Sequence, residues 1–140
     1  MQIEEATSHP LEHYQAVTND IIVTMRPHYL KDRSNPESKQ FFYAYKVKIE
    51  NQSQFSFKVI HRHLIIRDGN KKTFTVQGPG VLGERPSVPP SGIFEYQSLC
   101  PLHTPSGSMR GKLQLQDELG ETFWVDLPLV FFRQLETFVQ

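Results

Sequence analysis

The sequence predicts an all-β protein, an antiparallel sandwich of about seven strands, and three observations carry that prediction. Apolar and polar residues alternate with period two in one segment after another. Turn-forming residues separate those segments at short intervals. No apolar stripe of helical period runs through the middle of the chain.

The clearest element spans residues 41–50, where Phe41, Tyr43, Tyr45, Val47 and Ile49 interleave with Lys46, Lys48 and Glu50. Successive side chains on a strand point to opposite faces, so one face meets a core and the other meets water. Asn51-Gln52-Ser53 ends the segment with residues that favour turns. An earlier strand is predicted where Ile21, Val23 and Met25 alternate with Ile22, Thr24 and Arg26. Residues 55–67 change phase: Phe55, Phe57 and Val59 are odd, whereas Ile60, Leu64 and Ile66 are even. A one-residue slip flips every side chain, so a bulge is expected at residues 59–61.

Beyond a turn at Asp68-Gly69-Asn70, Phe74 and Val76 alternate with Thr73 and Thr75. Phe94 and Tyr96 alternate with Glu95 and Gln97, and Leu113 and Leu115 with Gln114 and Gln116. Phe123, Val125 and Leu127 alternate with Trp124 and Asp126, and Glu118-Leu119-Gly120 links the last two strands as a hairpin would. The domain organisation read from this pattern is a polar N-terminal extension at residues 1–19, the sandwich at 20–132 and a C-terminal tail at 133–140. Phe131, Phe132, Leu135, Phe138 and Val139 form an apolar set at the C-terminus that is expected to pack.

Composition narrows the function classes. A chain of 140 residues suits one domain, and 38% hydrophobic with 21% charged residues argues against bulk disorder. Lysine plus arginine equals aspartate plus glutamate, 15 each, so no globally basic surface draws the chain to nucleic acid, and none is expected as a partner. The single cysteine, Cys100, rules out an intrachain disulfide and fits a reducing compartment. No apolar run approaches the length of a membrane span, and residues 1–19 lack the apolar stretch of a secretory signal. The expected address is the cytoplasm, with no membrane association.

Four groups of residues could carry chemistry. Gly78-Pro79-Gly80-Val81-Leu82-Gly83 spells a G-x-G-x-x-G fingerprint, which cradles phosphates when it follows a strand and opens a helix. Here Pro86, Pro89 and Pro90 follow closely and forbid that helix. The segment reads as a surface loop; the alternative is a helix-free nest of Gly78, Gly80, Gly83 and Arg85 for a nucleotide or pyrophosphate. Residues 100–109 hold a thiol, an imidazole and hydroxyls, but no acid follows to orient His103. That stretch reads as a proline-shaped connection, with His103, Thr104, Ser106 and Ser108 on a partner-facing loop. His61 and His63 are two apart on a strand and share a face, which makes them secondary candidates for metal, with His28 or His103 as a further ligand. No metal site is assigned on that basis. Glu84, Glu95, Asp117, Glu118 and Glu121 fall in loops or on polar strand faces, where solvation accounts for them. No catalytic residue and no cofactor are assigned.

Several stretches together resemble the ApaG family. They are Phe42-Tyr43-Ala44-Tyr45 running to Ile49-Glu50-Asn51, Arg62-His63-Leu64-Ile65-Ile66-Arg67-Asp68-Gly69-Asn70, Val76-Gln77-Gly78-Pro79-Gly80-Val81-Leu82-Gly83-Glu84-Arg85-Pro86 and Phe94-Glu95-Tyr96-Gln97-Ser98. The most specific is Cys100-Pro101-Leu102-His103-Thr104-Pro105-Ser106-Gly107-Ser108-Met109-Arg110-Gly111. The likeness covers residues 20–132, and Leu64 stands where an aromatic is common. The resemblance implies an immunoglobulin- or fibronectin-type-III-like sandwich. It also implies a pyrophosphate role for the loop holding Gly78, Gly80 and Gly83. Bacterial members are named for the locus of a diadenosine tetraphosphate hydrolase, and an alternative name links them to cobalt and magnesium handling. Related eukaryotic domains end certain F-box proteins and form part of a polymerase-interacting protein, where protein binding is the expected role. The leading expectation is therefore a non-catalytic cytoplasmic module that recognises a protein partner. The alternatives are dinucleoside polyphosphate binding through the glycine loop and a cobalt- or magnesium-related function. A sheet edge or the C-terminal tail could also join two copies into a homodimer.

Overall fold

The computed structural model describes residues 13–134, so Leu135, Phe138 and Val139 of the tail lie outside the described residues. Strands β1 (Tyr14–Thr18), β2 (Ile21–Tyr29), β3 (Phe41–Asn51) and β7 (Ile93–Leu102) form one sheet in the order β1-β2-β3-β7. Strands β4 (Phe57–Asp68), β5 (Thr73–Pro79), β8 (Gly107–Asp117) and β9 (Thr122–Phe132) form the second, in the order β5-β4-β8-β9, and the two-residue β6 (Ser87–Val88) pairs with β4. Every pairing is antiparallel. The protein is an antiparallel β-sandwich, and the seven segments expected from periodicity are β2, β3, β4, β5, β7, β8 and β9.

The core is built by the inward positions of both sheets. Val23 and Met25 of β2, Tyr43, Val47 and Ile49 of β3, Val59 of β4, Leu113 and Leu115 of β8, and Val125 and Phe132 of β9 are all buried. Each such side chain contributes about 1.5–3 kcal/mol of transfer free energy. Tyr43 packs between Tyr29 and Phe132, with ring centroids 5.1 Å away on each side.

The strand β1 corrects the boundary drawn at residue 20, because residues 14–18 belong to the sandwich. Tyr14–Thr18 pairs with β2 through the turn Asn19-Asp20, where both residues have positive φ, 48° and 67°. That is the two-residue hairpin geometry whose twist matches the flanking strands. Thr18 Oγ1 accepts the Asp126 amide of β9 at 3.1 Å, and the Tyr14 ring meets Phe131 edge-on at 6.1 Å. One edge of the sandwich is thereby sewn shut. At the other edge, among the described residues, β7 and β5 each pair on one side alone.

The expected bulge is present: Val59 faces Leu115 and His61 faces Gln114, which leaves Ile60 without a partner on β8. Odd positions point inward before it, and the even position Leu64 points inward after it. A second irregularity lies between β8 and β9, where Met109 faces Val130 and Gly111 faces Leu127. Pro128 and Leu129 stand in that gap against Arg110 alone. Proline has no amide to give a ladder, so it sits where the ladder is already broken. The phase of β9 inverts there, turning Val130 and Phe132 inward and Phe131 outward.

Candidate functional site

The glycine segment closes as a tight turn. Val81 and Glu84 exchange backbone hydrogen bonds of 2.8 and 2.9 Å around Leu82 and Gly83, whose φ angles are 51° and 76°. Two positive φ values in a two-residue loop make the tight hairpin turn that suits twisted strands. Gly80 also has positive φ, 57°, and a Cβ there would collide with the Glu84 carbonyl oxygen. Its amide donates to the Ile60 carbonyl at 2.8 Å. The amides of Gly80, Val81 and Glu84 are therefore spent inside the chain, and no helix follows. Arg85 is exposed beside the turn.

One functional-looking residue here escaped the sequence reading. Arg62 lies just past the bulge, and its guanidinium rests against Gly78, where an added Cβ would be 3.2 Å from Nη1. Nη1 donates to the Gly80 carbonyl at 3.2 Å. Burial pushes the Tyr45 and Tyr96 phenols above their ordinary 10.0, and the nearby Arg62 charge pulls both back. The only signal for this placement was the phase change itself, which turns even positions of β4 inward.

The segment after Cys100 fastens the crossing from one sheet to the other. Thr104 Oγ1 accepts the Gly69 amide at 2.8 Å and donates to the Ser106 carbonyl at 2.7 Å. The Tyr43 hydroxyl donates to the Pro105 carbonyl at 2.6 Å. Thr104 is only 7% exposed, so this member of the expected partner-facing loop is turned inward and used by the fold. His103, within reach of the Lys39 carbonyl at 3.4 Å, and Ser106 are exposed, and Ser108 is half-buried in β8. Cys100 is buried in β7, and desolvation pushes its thiol up to about 12. A thiol held protonated is no nucleophile at neutral pH.

The two loops do not form one site. Pro79 pairs with His61, whereas Gly107 pairs with Asp68, seven residues further along β4 (61 to 68). At strand rise that is about 23 Å. His61 and His63 lie on β4 opposite Gln114 and Lys112, with the His61 ring edge-on to Trp124 at 6.1 Å. Among the described residues no group of three or more histidine, cysteine, aspartate or glutamate side chains is placed to hold a metal ion.

The concave features lie elsewhere. A groove of 540 Å³ crosses the outer face of the β1-β2-β3-β7 sheet, lined chiefly by Thr24, Arg26, Lys46, Lys48, Glu95 and Gln97. These are polar positions whose alternation suggested only a solvated face. A smaller cleft of 320 Å³ opens at one end of the sandwich, with Ile21, Phe55, Phe57 and Phe123 on its walls.

Two antiparallel sheets, closed at the β1–β9 edge and, among the described residues, unpaired at the β5–β7 edge, with motif loops that serve the fold, define a small β-sandwich domain. Residues 31–117 match the ApaG domain. The chain is 44% identical over 115 residues to Protein ApaG of Allorhizobium ampelinum, covering 82% of this chain and 88% of that one. It is 45% identical over 116 residues to Protein ApaG of Methylocella silvestris, covering 83% and 89%. A crystal structure of a Bordetella pertussis protein, provisionally named ApaA, superposes with a TM-score of 0.81 at 38% identity, covering 84% of this chain and 96% of that one. The chain belongs to the ApaG family.

Proposed function

We propose that this chain is a non-catalytic module that recognises a protein partner by accepting an extended segment along β7. The observation that carries this reading is the free edge of that strand. Among the described residues β7 runs for ten residues, pairs only with β3, and exposes Ile93 and Leu99 at 57% and 42%. An unpaired edge of that length presents a row of backbone donors and acceptors to another strand. Glu95 is its one charged residue, and Pro101 interrupts it only near its end. This reading is preferred to phosphate binding at the glycine turn because three amides of that turn are already engaged.

The lone, buried Cys100 supports a cytoplasmic setting. Among the described residues no helix is long and apolar enough to cross a membrane. The finer description of the sandwich as immunoglobulin- or fibronectin-type-III-like rests on the family resemblance.

The test selects binding peptides from a random library against the purified chain and maps the tightest by amide shifts and hydrogen exchange. The expected result is shifts and gained protection along residues 93–102, with affinity weakened about tenfold or more by Leu99→Lys. Peptides that perturb another surface, or that ignore Leu99→Lys, would overturn the reading. Sedimentation of the free chain separates pairing with a second copy from binding of a different partner.

A further inference from the structure

We propose that the groove on the outer face of the β1-β2-β3-β7 sheet binds a small phosphorylated molecule, with Arg26 and Lys46 holding its phosphoryl group. The strand register sets the geometry. Arg26 of β2 stands directly opposite Lys46 of β3, and Lys46 stands opposite Gln97 of β7. The next outward row places Thr24 opposite Lys48, and Lys48 opposite Glu95. Like charges facing each other across an antiparallel pair destabilise it. The acids stand nearest Lys48: its Nζ lies 3.8 Å from Glu50, the one ion pair among the described residues, and Glu95 is its direct cross-strand neighbour and only a diagonal one of Lys46. Arg26 and Lys46 have no carboxylate within ion-pairing distance among the described residues.

An uncompensated cation pair lining a concave groove is an arrangement that an anion completes. Arg26 offers a planar fork of donors and Lys46 a compact ammonium, while Gln97 adds a neutral amide in the same row. A phosphoryl group carries up to two charges and three acceptor oxygens, enough to engage all three side chains. The groove's 540 Å³ falls within the roughly 300–1,000 Å³ of small-molecule sites. It exceeds what one phosphate fills, so the ligand has a polar body reaching toward Thr24 and Lys48. The glycine turn belongs to the other sheet and contributes nothing to this groove.

The test uses the full chain with inorganic phosphate and pyrophosphate as probes, at constant ionic strength in chloride buffer. Amide shifts are expected at residues 24–26, 46–48 and 95–97, saturating at concentrations on the order of 10 mM or below. Arg26→Gln and Lys46→Gln should each weaken binding about tenfold or more, whereas Lys46→Arg retains it. Lys71→Gln, an exposed lysine of the β4–β5 turn, and Arg85→Gln, beside the glycine turn, should leave it unchanged. In phosphate-free buffer Lys46→Gln should raise the melting midpoint by about 1–3 °C, because it removes the facing charge. The proposal is overturned by the absence of a saturable response, or by equal weakening in Lys71→Gln, which would mean general attraction. Weakening by Arg85→Gln alone would place the site at the glycine turn instead. A lower midpoint in phosphate-free Lys46→Gln would also overturn it, by showing that the lysine serves the fold.

Discussion

The G-x-G-x-x-G letters have unequal physical roles. At Gly80 a side chain would strike the Glu84 carbonyl and the backbone has positive φ, whereas at Gly83 the backbone has positive φ but the space is open. Gly80→Ala should therefore cost about 1–3 kcal/mol for the backbone conformation alone and more for the clash. Gly83→Ala should cost about 1 kcal/mol. Urea denaturation of the two variants checks the order, and equal losses would refute the steric account. Which glycine matters was not legible in the sequence, because the collision involves a carbonyl four residues away whose position only the closed turn defines. Thr104 teaches the same lesson. Its hydroxyl was visible as a polar group in a proline-flanked stretch, but the Gly69 amide that claims it lies 35 positions away.

At the scale of elements, the phase of a strand carried most of the information. The slip in residues 55–67 predicted the bulge of β4, and the bulge is what turns Arg62 toward the glycine turn. The equivalent signal in β9 was a proline, Pro128, whose missing amide marks the inversion between Leu127 and Val130. β1 left a weaker trace. Tyr14, Ala16 and Thr18 are only half-buried, so no apolar alternation announces the strand, and the Asn19-Asp20 turn was its best sign. A chain beginning at Asp20 would lose five residues of pairing with β2, the bond from the Asp126 amide to Thr18, and the Tyr14–Phe131 contact. Its melting midpoint should fall by about 5–10 °C relative to the full chain. A midpoint within about 1 °C of the full chain would show that β1 is a dispensable extension.

The whole molecule should weaken in alkali. Cys100 is raised from 9.0 to about 12 by burial, and the Tyr43, Tyr45 and Tyr96 phenols are raised above 10.0, burial being the largest cause in each. The folded state then keeps protons that the unfolded chain gives up. Stability is fully present below about pH 9 and declines as pH rises, first through the thiol and then, above about pH 10, through the phenols. Urea midpoints measured from about pH 7 to pH 11 should be level below pH 9 and fall beyond it. A profile that stays level to pH 11 would mean that these groups ionise without unfolding. The asymmetry of the sandwich acts at the same scale. The β1–β9 edge is sutured, whereas among the described residues the β5–β7 edge is unpaired, so β7 and the sheet face that ends in it stay open to a partner.

By itself the sequence determined the class of fold. Period-two alternation names the buried face of each strand, and turn residues mark where strands end, because both are local consequences of backbone geometry. It also determined that the fingerprint lacks its helix, since Pro86, Pro89 and Pro90 fall where the interior of that helix would lie. Only the tertiary structure decided which strands are neighbours and which edge stays free. It likewise decided whether Arg26 would face a counter-charge or Lys46. Those outcomes depend on pairing between segments tens of residues apart, and alternation specifies which face a side chain takes but not what stands opposite it.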